Sequence, residues 1–410
     1  MDVAIVGHMG DAAYIAAIAV GGTIFNMIYW LFAFLRMGTS GMSAQAHGSG
    51  DGRELDLVLA RGMIVAITAS AVIIIASPLI ARLAFSVMEV ETGVRAMADR
   101  YFSILVWGAP AVLCTYTLSG WALGRKNPKA PMWVSFIINI SNIIVSLVLV
   151  YVFRLKIEGV AIGTLSAQWL GVISFGVIVI RKYHPTVPPM SQVMLRSALK
   201  RFFSVNIDIF LRTCCLIAVT VWFTRVGSQQ GVVVLAVNTL LMQFFIMFSY
   251  FMDGFAFAGE AMCGNCLGAA DRVGLRRSTR SLLAWGGGVA VIFTVIYFFC
   301  GEWIMQLLSG DVNVIAASKE YFHWVVLVPV AGFLAFTWDG IYIGITRTHE
   351  MLLSMATSTA LYFILYYVLY PMLGNHGLWI AFISYLFTRG IVLQFASRHV
   401  ERKIFLDKLI

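Results

Sequence analysis

The sequence predicts an all-α polytopic membrane protein of two six-helix lobes, related by a pseudo-twofold axis along the membrane normal, with the first helix largely missing. Three observations carry that prediction. First, 60% of the 410 residues are hydrophobic and 12% are charged, whereas a water-exposed surface keeps a soluble domain near a quarter charged. With 29 Lys and Arg and 20 Asp and Glu, the chain cannot wet the surface of a soluble enzyme, and it is too apolar for a disordered chain or a nucleic-acid-binding domain. Second, apolar runs of spanning length follow one another along the whole chain. Third, the chain repeats itself with an even number of spans per repeat.

A spanning helix needs about 20 predominantly apolar residues. Met1–Val6, apolar apart from Asp2, reads as the last turns of a first helix and stops at Gly7. Full runs follow near 13–38, 57–85, 97–123, 130–153, 159–181, 201–225, 231–258, 281–308, 319–345, 351–373 and 377–397, eleven in all. They are continuous rather than alternating, which excludes a membrane β-barrel. Turn residues separate them: Gly7-His8 to Gly10-Asp11, Gly48 to Gly52, Lys126-Asn127-Pro128 and Gly227-Ser228. The longest connection, 182–200, holds Pro185, Pro188 and Pro189 and reads as a bridge. The expected organisation is an N-terminal lobe over 1–182 (partial helix 1 plus helices 2–6), a cytoplasmic linker over 183–200 and a C-terminal lobe over 201–410 (helices 7–12). Cys263-Gly-Asn-Cys266 lacks a second CxxC, so no metal site is expected. No basic n-region or A-x-A site marks a signal peptide.

Basic residues orient the spans. Alternate connections carry Arg53; Arg125, Lys126 and Lys129; Arg181, Lys182, Arg196, Lys200 and Arg201; Arg272, Arg276, Arg277 and Arg280; Arg347; and Arg398, Arg402, Lys403 and Lys408. The opposite set carries only Arg82, Arg95, Arg100, Arg154, Lys156, Arg225 and Lys319. The first set faces the cytoplasm.

The repeat has an offset near 220 residues. Tyr101-Phe102 recurs as Tyr321-Phe322, and Gly120 and Gly124 recur as Gly340 and Gly344. Gly159-Val-Ala-Ile-Gly-Thr-Leu-Ser166 resembles Gly377-Leu-Trp-Ile-Ala-Phe-Ile-Ser384. Ala19-Val20 matches Ala236-Val237, and Gln45-Ala46 matches Glu260-Ala261. Each repeat holds six spans, so the halves share one orientation, an arrangement of transporters that alternate access between two lobes. The seventh helix begins near Leu199 to Phe202; the local offset puts its first-half partner roughly 16–18 residues before Met1. The expectation is an N-terminally shortened chain with a weakened first lobe.

Asp2-Val-Ala-Ile-Val-Gly-His8 and Phe34-Leu-Arg-Met-Gly-Thr-Ser-Gly-Met-Ser-Ala-Gln45 resemble the start of the multidrug and toxic compound extrusion (MATE) transporters, with the DinF-like branch the most similar. Val205-Asn-Ile-Asp208, Leu235-Ala-Val-Asn-Thr-Leu-Leu-Met-Gln243, Met252-Asp-Gly-Phe-Ala-Phe-Ala-Gly-Glu260 and Trp338-Asp-Gly-Ile-Tyr-Ile-Gly344 continue the resemblance over essentially the whole chain. It implies twelve helices in two lobes, a V-shaped cavity, and export of organic compounds, cationic or amphipathic, against entry of H⁺ or Na⁺. It also implies that Asp2 binds the coupling ion, with polar residues of the fifth and sixth helices beside it. Asn142 matches the family asparagine, Ser146 stands where the family often has aspartate, and Thr164 falls where a site hydroxyl is expected. The missing aspartate favours H⁺ over Na⁺. The alternative for Asp2 is a surface carboxylate, and for the other three, hydrogen bonding between helices.

Charges within membrane helices cost energy and mark candidate sites. Asp208 and Arg212, spaced i,i+4, can neutralise each other; the resemblance makes Asp208 a second candidate for a proton or a cationic substrate. Arg36 and Asp253 hold near-equivalent repeat positions with opposite charge, and either close on each other or find partners within their own lobes. Asp339 is a substrate candidate or a buried structural carboxylate; Arg389 pairs or snorkels. Gln243 lies in Met242-Gln-Phe-Phe-Ile-Met247, a Met- and Phe-rich stretch suited to an adaptable pocket. Pro110 and Pro329 interrupt the fourth and tenth helices, where symmetric kinks are expected.

A lipid-linked saccharide flippase is the alternative function; it calls for a strongly cationic cavity, and only Arg36 and Arg212 are near the implied one. HExxH, GxSxG and GxxxxGK motifs are absent from the sequence, which argues against an enzyme or a self-sufficient ATP-driven pump. The expectation is a monomeric, multi-pass protein of the bacterial inner membrane that handles a small-molecule substrate amid lipid, with no cofactor beyond the coupling ion and no nucleic-acid partner.

Overall fold

In the computed structural model residues 12–88 and 92–406 are described, and among them every regular element is helical. The first apolar run folds as α1 (Ala12–Leu31) and α2 (Phe34–Gly48), parted by a turn at Phe32-Ala33. Then come α3 (Gly52–Val87), α4 (Thr92–Leu105), one 3₁₀ turn (Val106–Gly108) and α5 (Ala109–Gly124). α6 (Lys129–Leu147) runs into a π turn (Val148–Val152) and is followed by α7 (Lys156–Tyr183) and the short α8 (Met190–Val193). The rest of the chain is α9 (Arg196–Gln229), α10 (Val232–Gly268), α11 (Arg272–Leu308), α12 (Val312–Gly344), α13 (Thr348–Leu373) and α14 (Asn375–Leu406). Eleven stretches among the described residues are long and apolar enough to cross a membrane, one for each apolar run of the sequence.

The repeat is written in the turns as well as in the helices. Gly50 and Ala270, 220 positions apart, both adopt positive φ, at 74° and 57°. Each is followed by an aspartate that caps the next helix: Asp51 accepts from Glu54 N at 2.9 Å and Asp271 from Gly274 N at 2.8 Å. Lys126 and Thr346 form a second such pair, with φ of 59° and 52°. A residue other than glycine pays a steric cost in this region, so its recurrence at equivalent sites marks turns that both halves need.

Gly120 and Gly340 show why glycine recurs. A Cβ on Gly120 would lie 3.0 Å from the carbonyl carbon of Arg36, and one on Gly340 would lie 2.6 Å from that of Ala256. α5 therefore rests backbone-close on α2, and α12 on α10 in the same way. Backbone cannot rotate aside, so Gly340→Ala is expected to lower stability by about 1–3 kcal/mol, read as a fall in melting temperature of the purified protein. Gly288→Ala, where a Cβ meets nothing within 4 Å, is the control; equal melting of the two variants would contradict the packing.

The prolines break the symmetry that the sequence predicts. Pro110 stands at the start of α5, behind the 3₁₀ turn, whereas Pro329 lies inside an uninterrupted α12. Its neighbour Val328 is fully buried in the aromatic-rich core, and tertiary packing carries α12 through the lost hydrogen bond.

The helices form two compact units. One takes the described residues up to Ser43 together with Asp51–Phe202; the other takes Ala44–Gly50 and the chain from Phe203 onward. The first is built around Phe25, Tyr101, Phe102, Leu113 and Val160, with Phe25 stacked on Phe102 at 4.8 Å. The second centres on Phe223, Phe244, Phe248, Tyr297 and Trp379. Segment 183–200, expected to bridge two lobes, lies wholly within the first unit. Asp56 accepts from Thr186 N and Oγ1 at 2.9 and 2.7 Å. The buried Arg61 donates to the Gln192 and Val193 carbonyls, both at 3.2 Å, while pairing with Glu54 at 2.9 Å. Residues 44–50, expected in the N-terminal lobe, go with the second unit, where Gln45 Nε2 donates to Gly344 O at 3.0 Å and to Thr346 Oγ1 at 2.9 Å.

Candidate functional site

In the first unit the expected coupling residues of the fifth and sixth spans come together. Asn142 Nδ2 donates to Thr164 Oγ1 at 2.7 Å, from α6 to α7. Ser146, one turn beyond Asn142 on the same face, is fully buried, and its Oγ has no hydrogen-bond partner among the described residues. Gly163 explains the closeness: a Cβ there would stand 2.9 Å from both Cα and N of Ser146, so only glycine lets α7 approach α6 at this level. The π turn Val148–Val152 begins directly after this segment; such local departures from α geometry are common at functional sites. Asp2, the fourth member of the expected set, lies outside the described residues.

At the equivalent positions the second unit does not repeat this polar group, although it has a buried pair of its own, Asn238 with Asn375, bonded at 2.8 and 2.9 Å. At the repeat offset of 220, Asn142 and Ser146 correspond to Tyr362 and Tyr366. At the offset of 218 set by Gly159 and Gly377, Thr164 corresponds to Phe382. All three aromatics belong to the hydrophobic core.

The second unit also holds an ion cluster. Asp339 Oδ2 accepts from both Arg212 and Arg389, and all three residues are buried. Arg389 also lies over the Phe336 ring, 5.4 Å from its centroid. The expected i,i+4 pair of Asp208 with Arg212 is therefore corrected: Arg212 turns to the more deeply buried Asp339, and Asp208 Oδ2 accepts from Thr348 Oγ1 at 2.8 Å. Asp339 Oδ1 and the Nε atoms of both arginines are buried without a hydrogen-bond partner among the described residues. Asp339, a substrate candidate in the sequence, is thus the shared partner of two guanidinium groups, and its single negative charge leaves the cluster with one net positive charge. Arg212, one of the two cations on which a flippase reading relies, is held in this pairing.

Of the other candidates, Arg36 lies in the first unit and is half-buried, whereas Asp253 and Gln243 lie on α10 in the second, half-buried and exposed respectively. Glu260, further along the same helix, is 1% exposed. At the cytoplasmic end of the first unit Arg125 lies 4.5 Å over Trp121 and 4.2 Å over Tyr183, measured to the ring centroids. Burial lowers its pKa, with Tyr183 and Asp56 opposing that shift.

The MatE family model matches residues 1–148 and 206–368. DNA damage-inducible protein F of Escherichia coli strain K12 is 34% identical over 401 residues, which cover 96% of this chain and 86% of that protein. Multidrug resistance protein MdtK of Edwardsiella ictaluri is 22% identical over 415 residues, covering 96% of this chain and 89% of that one. Among solved structures, the crystal structure of MATE in the bent conformation aligns with a TM-score of 0.88 at 18% identity over 100% of this chain and 92% of that chain, a likeness of fold. On the family match, the identity and the eleven spans, the chain belongs to the MatE family of multidrug and toxic compound extrusion proteins and is a multi-pass inner-membrane transporter rather than an enzyme.

Proposed function

We propose that this transporter exports cationic or amphipathic organic compounds in exchange for protons by alternating access, with Asp2 as the proton carrier and Asn142, Ser146 and Thr164 as its polar surroundings. The observation that carries the reading is the one-sidedness of the polar group. Asn142 bonds Thr164 at 2.7 Å beside the buried Ser146 hydroxyl, where the other half of the repeat has three core aromatics. The halves thus differ at these positions, which suits a device that couples one ion to one substrate. A hydroxyl at position 146 in place of a carboxylate offers a sodium ion one negative charge fewer, which favours the proton. Arg36, Asp208, Asp253, Asp339 and Gln243 remain candidates for substrate contact.

The test is transport in proteoliposomes. An imposed pH gradient is expected to drive counterflow of a fluorescent organic cation, and a sodium gradient of equal size to leave it still. Asn142→Ala is expected to slow the proton-driven flux on the order of tenfold, the scale of one buried hydrogen bond, with insertion unchanged. Flux driven by sodium alone overturns the proton assignment, and wild-type flux in Asn142→Ala overturns the site.

A further inference from the structure

The second unit contains a pocket that the transport reading does not use. It lies between α11, α12 and α14 and has a volume of about 380 Å³. Arg276, Thr279 and Arg280 line it from α11, Trp338 and Ile341 from α12, and Gln394 from α14. Gln394 Oε1 accepts from Trp338 Nε1 at 2.9 Å, so its amide N–H groups are the donors it has left to offer. No carboxylate is among the described residues that line the pocket. It is a set of donors and cations against an apolar wall.

The lining differs between the halves of the repeat. At the repeat offset of 220, Thr279, Leu283 and Trp338 correspond to Leu59, Met63 and Leu118, and Arg280 to Ala60; at the offset of 218, Ser397 corresponds to Val179. In the first unit Leu118, Val179, Leu59 and Met63 close into a solid hydrophobic cluster with Trp121 and Phe175. One half of the repeat fills this seam with hydrocarbon. The other opens it and lines it with arginine, threonine, glutamine and serine.

We infer that this pocket seats the phosphate headgroup of an anionic phospholipid from the cytoplasmic leaflet. The start of α11, the end of α12 and the end of α14 share the side that the basic connections mark as cytoplasmic. Arg280 stands eight residues beyond Arg272, about 12 Å along the helix axis, with Arg276 between them on α11. Basic pockets between membrane helices on that side suit lipid phosphates. Guanidinium groups match phosphate oxygens with paired donors. Further along α11, Val291, Val295 and Phe298 lie on the same helix face as Arg280 and are exposed. A lipid anchored at Arg280 has an apolar track for its chains, which a free phosphate compound does not need.

The inference is independent of the coupling ion and the substrate, and is tested without transport. The purified protein in detergent is titrated with phosphatidylglycerol, with phosphatidylcholine and with glycerol 3-phosphate, and bound lipid is counted by native mass spectrometry alongside melting temperature. Wild type is expected to retain phosphatidylglycerol and melt higher with it, with neither effect from the other two. Arg280→Gln, at an exposed position that folding tolerates, is expected to weaken phosphatidylglycerol binding about tenfold or more, the scale of a charged hydrogen bond. Arg277→Gln removes the same charge from the same helix outside the lining and is expected to change nothing. Equal losses in the two variants, or none in either, overturn the pocket in favour of a diffuse basic surface. Binding of glycerol 3-phosphate as tight as that of the lipid assigns the site to a soluble phosphate compound and overturns the lipid.

Discussion

Asp339→Asn is expected to remove most of the folded protein from the membrane. The carboxylate is the shared partner of Arg212 and Arg389, and the three side chains are buried together. Asparagine keeps the size but not the charge, leaving two guanidinium groups facing each other in a medium of low dielectric. Breaking a buried pair by removing one partner costs on the order of 3–5 kcal/mol, a large part of the stability of most proteins. The reverse change is milder. Arg212→Met leaves Asp339 and Arg389 as a one-to-one pair, so its loss should be clearly the smaller. Arg212 also has Asp208 one turn away on α9, so in Asp339→Asn the penalty falls mainly on Arg389. Size-exclusion profiles of the solubilised variants, together with their melting temperatures, measure the ordering. An Asp339→Asn protein as stable as wild type, or less affected than Arg212→Met, contradicts the cluster.

Asp2→Asn is expected to abolish proton-driven export while leaving insertion and substrate binding intact. Asparagine has the shape of aspartic acid but cannot take up and release a proton. A carboxyl group moved between dry and hydrated surroundings can do both, because desolvation disfavours its charged form. The experiment compares export from cells and counterflow in proteoliposomes for wild type and variant, with substrate binding measured in detergent. Undiminished export removes Asp2 from the coupling role. Lost binding in place of lost coupling makes it a substrate ligand.

Much of this protein follows from its sequence alone. Hydrocarbon must cover a membrane span and backbone polar groups must be satisfied within it, so the number and places of the eleven spans among the described residues are legible as apolar runs. The duplication is legible too, because a turn such as Asp51 or Asp271 and a contact such as Gly120 or Gly340 each demand one residue type locally. Asn142, Ser146 and Thr164 were legible as a group through resemblance, and Gly163, which brings them together, lies in the repeat itself. The partners of the buried charges were not legible in this way. Spacing favours Arg212 with Asp208, four positions off, but Arg212 bonds Asp339, 127 positions off, because the helix that carries Asp339 presents a more deeply buried carboxylate. Pro110 and Pro329 look alike in sequence, yet only the first marks a break, since packing around Val328 holds α12 together across the second. The pocket at Arg280 was hidden for the same reason. Its arginines read as ordinary topology signals until three helices, remote in the chain, are seen to leave a gap around them. Local chemistry decided which segments are helices; only the packing of one helix on another decided which charges meet and where space remains.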